Sequence, residues 1–199
     1  MLNQRLRGAW DRLARPVGRA VGGIGVSANS ITVAGLFIQT GAAYLIVEGR
    51  LVTAGLVSIL AGVADLLDGA VAKAKGQTTA FGALLDSTTD RFSDALFFLP
   101  VAWLYGIEPD LSSHDEPWVA AVALAALVFS FLVSYVKARA ESLGFECNVG
   151  FAERAERVIL MVAGLLFGIV PLMVIALAAV GAFTFVQRMV HVAAQARSG

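Results

Sequence analysis

Four carboxylates in one short stretch carry the chemistry this chain is able to do: Asp65 and Asp68, then Asp86 and Asp90. The stretch that holds them runs at both ends into strongly apolar segments. At the centre of a membrane helix an Asp costs about 2.5 to 3.5 kcal/mol on insertion scales, so carboxylates in such a setting are read as functional. Asp65 and Asp68 are three residues apart and share one face of a helix, and Asp86 and Asp90, four apart, share another. Two helices that each present a pair of oxygen ligands make a site for a hard divalent cation, Mg²⁺ first and Mn²⁺ as the alternative. Four close carboxylates cannot all stay ionised in a low-dielectric setting without a cation. Two divalent ions would balance the four charges, and two ions roughly 3.5 to 4 Å apart recur in displacement at phosphorus. An Asp not fully engaged with metal could then accept the proton of an attacking hydroxyl.

The elements that must position these residues are membrane helices. Of 199 residues 58% are hydrophobic and only 15% charged, which is the composition of a multi-pass membrane protein. The net charge is zero, which removes any global attraction to nucleic acid. The single cysteine, Cys147, excludes an intrachain disulfide framework and reads as a packed or loop thiol. The first thirty residues lack a continuous apolar core, so no cleavable signal peptide is expected. Residues 1–23 form an amphipathic pattern: Leu2, Leu6, Trp10, Leu13 and Val17 recur on one side, and Arg5, Arg7, Arg12, Arg15 and Arg19 cover the other. That pattern suits a helix in the headgroup plane, or equally one packed on the protein's own cytosolic surface.

The expected architecture is all-α, six transmembrane helices preceded by that amphipathic interfacial helix, with residues 1–28 as a juxtamembrane segment and 29–199 as the catalytic domain. Gly25 to Thr32 is a turn and helix start, with Ser27, Asn29 or Ser30 as candidate N-caps. The first span covers 31–47, and Glu48-Gly49-Arg50 makes a tight exit. The second starts at Leu51, which places Asp65 roughly 21 Å along it, in the final third of a core about 30 Å thick. The third covers 81–106, with Asp86 and Asp90 near its beginning, so the two carboxylate pairs meet at similar depth. The fourth covers 118–136. The uncharged run 158–186 is too long for one span and divides at Gly168 and Pro171. The spacing Gly164-x-x-x-Gly168 permits close helix contact, though alone it is a weak signal. Basic residues gather at the amino terminus, around Lys73, between Lys137 and Arg157 and at Arg188 and Arg197, whereas the loops at Glu48 and at Glu108 to Glu116 are not basic. The positive-inside rule therefore puts both termini and the carboxylates at the cytoplasmic side of a cell membrane.

The stretch from Asp65 to Asp90 resembles the signature D-x-x-D-G-x-x-A-R-x8-G-x3-D-x3-D of the CDP-alcohol phosphotransferases. Asp65, Asp68, Gly69, Ala72, Gly82, Asp86 and Asp90 match with every spacer at length, and Lys73 replaces the usual Arg. The resemblance implies CDP-diacylglycerol as donor, CMP as leaving group, the four Asp as metal ligands and Asp90 as the base. It implies nucleotide contacts from Asp65, Asp68, Gly69, Lys73 and Gly82. It extends these contacts to Asn29 and Thr32, which match a Pro-Asn/Asp-x-x-Thr element except that Ala28 stands in the proline's place. For the two glycines, simple helix packing is the competing reading. Lys73 supplies a point charge where Arg would offer a planar fork, and its bland role is to snorkel to the interface.

The segments around Ser134, Lys137, Arg154, Arg157 and Arg188 resemble the phosphatidylinositol-phosphate synthase branch of that family, which implies inositol 1-phosphate, or another phosphorylated polyol, as acceptor. These five residues are accordingly assigned to the acceptor pocket, although the positive-inside rule alone accounts for some of them. Glycerol 3-phosphate is the next acceptor in line, giving a phosphatidylglycerophosphate synthase. A divalent-cation transporter is the competing reading from another class, against which the carboxylates sit near one face and not at the midplane. Relatives in the family are commonly homodimers, so the resemblance implies a second copy as partner. Asp94 extends the Asp86–Asp90 stripe and is expected to pair with a nearby base such as Arg91 or Lys137. His114 and His191 have no ligand partner at useful spacing and read as surface residues.

Overall fold

The computed structural model describes residues 20, 23, 25–76, 79–107, 116–151 and 154–198. The amphipathic helix expected over 1–23 and the acidic loop holding His114 fall almost wholly outside these residues. Among the described residues the chain forms six α-helices and no strand: α1 (Ala28–Val47), α2 (Leu51–Lys75), α3 (Ala80–Gly106), α4 (Trp118–Ser142), α5 (Arg154–Leu166) and α6 (Val170–Ser198). Four of them, α1, α2, α4 and α6, are long and apolar enough to cross a membrane. The other two differ for plain reasons. The helix α3 carries Asp86, Asp90, Arg91 and, just past its midpoint, Asp94, and α5 has only 13 residues against the ~20 that a span ordinarily needs.

The turns fall where the sequence puts its helix breakers. At the end of α1, Gly49 adopts φ +70°, and the Gly49 and Arg50 amides bond to the Ile46 and Leu45 carbonyls at 2.9 Å each. These two bonds satisfy carbonyls that a helix end leaves open, in a conformation that favours glycine. At the end of α5, Gly168 has φ +66° and the Ile169 amide bonds to the Gly164 carbonyl at 3.0 Å. Pro171 then lies in the first turn of α6, where its missing N–H costs nothing. The long apolar run is thus divided where Gly168 and Pro171 predict.

The helices distribute into two compact units. One contains 1–41 and 57–93, hence the start of α1, most of α2 and the first half of α3. Here α1 and α2 approach at small residues: a methyl group on Gly35 would lie 3.2 Å from the Ala64 Cβ. The other contains 42–56 and 94–199 and holds a core to which α3 contributes Phe97, Phe98, Val101, Leu104 and Tyr105. Their spacing is a single helical stripe. In the same unit α6 packs on both α4 and α5. Gly164 lies against Met173, so close that an added Cβ would be 2.7 Å from the Met173 Cγ. Of the Gly164-x-x-x-Gly168 pair, then, only the first makes the helix contact, and the second makes the turn.

Large apolar side chains remain exposed along the helices, among them Phe37, Leu60, Leu84, Phe167, Leu172 and Phe183. So many exposed large apolar side chains suit lipid as solvent, not water.

Candidate active site

The amino-terminal turn of α1 is set by Ser27, whose Oγ accepts the Ser30 amide at 3.1 Å and so acts as the N-cap. That start aims two side chains at the neighbouring helices. The Thr32 hydroxyl lies 2.5 Å from the Asp68 Oδ2, to which it donates, and 3.1 Å from the Ala28 carbonyl. The Asn29 Oδ1 lies beside α3, where a methyl group at Gly82 would stand 3.5 Å from it. The first turn of α3 is capped by Thr79, whose Oγ1 accepts the Gly82 amide at 2.9 Å. Asn29 and Thr32, expected at a nucleotide site, are therefore held against the two motif helices.

Asp65, Asp68 and Asp86 form one group in which a carboxylate oxygen from each lies within 4.8 Å of the others. Asp68 is buried, Asp65 half-buried and Asp86 exposed, so the group opens outward from α2 toward the exposed edge of α3. Oxygen ligands at about 2.0 to 2.1 Å from a Mg²⁺ ion are about 3 to 4.2 Å apart. Three hard oxygen donors at nearly this spacing, charged alike and placed among apolar helices, fit a divalent cation. Asp90 stands one turn further along α3 and is not in this close group; its Oδ2 is 3.6 Å from the Arg91 guanidinium. Arg91 also donates from Nη1 to the Ser87 carbonyl at 2.5 Å. Gly69 is exposed, and a methyl group added there would meet nothing within 4 Å. Helix packing accordingly does not require a glycine at 69. Gly82, by contrast, does have close neighbours. Lys73 is exposed at the end of α2.

In the other unit, the five residues assigned to the acceptor differ in setting. Arg157 and Arg188 are buried, Ser134, Lys137 and Arg154 half-buried. Arg188 donates from Nε to the Val149 carbonyl at 2.9 Å and from Nη1 to the Val133 carbonyl at 2.5 Å, tying Val149, in the connection after α4, back to that helix. Lys137 is 3.9 Å from Glu141, one turn on along the same helix face. Arg157 donates from Nη1 to the Ser130 Oγ at 2.7 Å, and its Nη2 is 3.8 Å from the Asp94 Oδ2. Asp94 therefore has a base as partner, but neither of those expected from the sequence. Arg91 turns to Asp90 and Ser87, Lys137 to Glu141, and Asp94 takes Arg157 together with the Ser130 hydroxyl. Spacing along α3 gives the face on which Asp94 lies and says nothing of which distant helix faces it.

Two contributors escaped the sequence reading. Ser130 has a faint signal, a hydroxyl one turn before Ser134 in an otherwise apolar helix. Gln195 has none: its side-chain amide accepts the Glu146 amide at 3.0 Å and donates to the Glu146 carbonyl at 2.6 Å, fastening the connection before α5 to the end of α6.

An all-helical membrane chain with three aspartates of two adjacent helices gathered into a metal-capable group defines a class, the integral-membrane transferases that work on phosphate esters. Residues 26–187 match the family model described as CDP-alcohol phosphatidyltransferase. The chain is 39% identical over 198 residues to the archaetidylinositol phosphate synthase of Methanothermobacter thermautotrophicus, covering 96% of this chain and 94% of the relative. It is 36% identical over 186 residues to the phosphatidylinositol phosphate synthase of Corynebacterium glutamicum, covering 89% and 83%. The phosphatidylinositol phosphate synthase of Mycobacterium tuberculosis superposes with a TM-score of 0.82 in its crystal structure with CDP-DAG bound, at 30% identity over 91% of this chain and 94% of that one. A second structure of that enzyme, in complex with manganese and citrate, superposes with a TM-score of 0.78 at 31% identity, over 90% and 88%. The chain belongs to the CDP-alcohol phosphatidyltransferase family. It is a membrane enzyme of phospholipid biosynthesis that transfers a phosphatidyl-type group.

Proposed function

We propose that this enzyme transfers the phosphatidyl group of CDP-diacylglycerol to inositol 1-phosphate, releasing CMP and forming phosphatidylinositol phosphate. The observation that carries the reading is the Asp65–Asp68–Asp86 group with Asp90 one turn beyond it. Asp65, Asp68, Asp86 and Asp90 would hold a divalent metal, Mg²⁺ or Mn²⁺ and two ions by charge balance, which would supply Lewis-acid polarisation of the donor's pyrophosphate. Asn29, Thr32, Gly69, Lys73 and Gly82 border the nucleotide. Asp90 takes the proton of the acceptor hydroxyl as its oxygen bonds to the lipid-bearing phosphorus, and the bond from that phosphorus to CMP breaks. Ser134, Lys137, Arg154, Arg157 and Arg188 receive the acceptor's phosphate, a role for which cations in a partly buried setting are suited.

The reading includes six crossings, with both termini and the carboxylates cytoplasmic, and a homodimer as the working form. The helix α3 joins the basic segment at Lys73 to the acidic one at Glu116, so it must cross despite its charges. The helix α5 leaves the basic segment at Arg154 and α6 returns to Arg197, so this orientation takes α5 as the fifth crossing, although its 13 residues are fewer than an ordinary span has. The test is CMP release by the purified protein given CDP-diacylglycerol with inositol 1-phosphate, glycerol 3-phosphate or no acceptor. Release only with inositol 1-phosphate is expected. Release only with glycerol 3-phosphate moves the enzyme to phosphatidylglycerophosphate synthesis, and no release with either refutes the reading.

A further inference from the structure

The three residues Asp94, Ser130 and Arg157 come from α3, α4 and α5 and are all buried, at 4%, 3% and 7% exposure. They close on one another. The Ser130 hydroxyl donates to the Asp94 Oδ2, accepts from the Arg157 Nη1 at 2.7 Å, and the Arg157 Nη2 is 3.8 Å from that same carboxylate oxygen. A buried ion pair gains little net stability, because desolvation of both charges offsets their attraction. What such a network fixes is geometry: a guanidinium with two of its nitrogens engaged cannot rotate freely. Arg157 stands in the first turn of α5, three residues after Arg154.

From this we infer that Asp94 and Ser130 are positioning residues for the acceptor: they hold the Arg157 guanidinium at the angle at which it meets the acceptor's phosphate. The inference rests on the proposed phosphorylated acceptor and assigns work to two residues outside the aspartate motif. An Arg that must find its own rotamer at each encounter binds phosphate less well than one already oriented. Asp94 and Ser130 thus act on acceptor binding through Arg157, and on the donor not at all.

The experiment is steady-state kinetics of CMP release by the purified full-length protein, with the KM for each substrate measured separately. Ser130→Ala, the milder change, should raise the acceptor KM roughly tenfold or more, with the donor KM within about twofold. Ser130→Thr, which keeps the hydroxyl, should restore most of the affinity. In an Arg157→Ala background, Asp94→Asn and Ser130→Ala should add nothing further to the acceptor KM, since both act through the missing guanidinium. An unchanged acceptor KM in Ser130→Ala overturns the inference, and so does an equal rise in both KM values or full additivity with Arg157→Ala. Each of these leaves the proposed reaction standing. Failure of the unsubstituted protein to release CMP with any phosphorylated polyol is the separate result that removes the reaction, and the inference with it.

Discussion

At the scale of the residue, the contact between Thr32 and Asp68 shows how the site is built. Asp68 is buried, and the hydroxyl of a different helix orients its carboxylate. Partners of this kind fix a metal ligand's rotamer and are worth about 10- to 100-fold in metal affinity. Thr32→Val should therefore weaken Mn²⁺ binding by roughly tenfold, and Thr32→Ser should not, as read by calorimetric titration of the purified protein. Asp86→Asn should abolish CMP release while the protein remains in the membrane fraction; retained turnover would refute the metal site. Lys73→Ala should lower turnover and Lys73→Arg preserve it, whereas near-normal activity in the alanine variant would leave Lys73 a snorkelling side chain. Of these residues Asp68 and Asp86 can be named from spacing, whereas Thr32 and Lys73 are named through the resemblance to the family signature. That the partner of Asp68 is Thr32 follows from neither, because the two are 36 residues apart in sequence.

At the scale of the element, the helices end where glycine and proline punctuate the chain, and they touch where side chains are small. Gly164 sits so close to Met173 that even a methyl group has no room, and the near atoms include the Met173 Cβ, which cannot swing away. Gly164→Val should lower stability by about 1 to 3 kcal/mol, seen as a lower melting temperature in detergent. Gly168→Ala, at φ +66°, has open space but a conformation that costs an L-residue about 1 to 2 kcal/mol. The two variants should thus fail for different reasons, packing at 164 and backbone at 168. Helix α5, with 13 residues, ends at Leu166, just before the Gly168 turn at which the apolar run is expected to divide. Charge-free sequence marks where a helix is able to lie in lipid, but the glycine turn decides where it stops.

At the scale of the whole molecule, the exposed apolar side chains and the loop charges give a membrane protein whose orientation is open to direct measurement. Replacing Cys147 with Ser and adding one cysteine at Ser198 or at Glu48 gives two probes. In sealed right-side-out vesicles, the variant with cysteine at 48 should react with an impermeant maleimide, and the variant with cysteine at 198 should react only after lysis. Reaction at 198 in sealed vesicles would reverse the orientation and move the carboxylates to the other side. The sequence by itself determined the helical class, the division of the last apolar run, the aspartate group and the basic segments, since each depends on residue type at a local spacing. Only the tertiary structure decided that Asp94 answers to Arg157 and Ser130, that Thr32 braces Asp68, and that Arg188 and Gln195 fasten Val149 and Glu146 in the connection after α4. The physical reason is the helix itself: its period tells which residues share a face, while the choice of the helix that face meets belongs to packing across the chain.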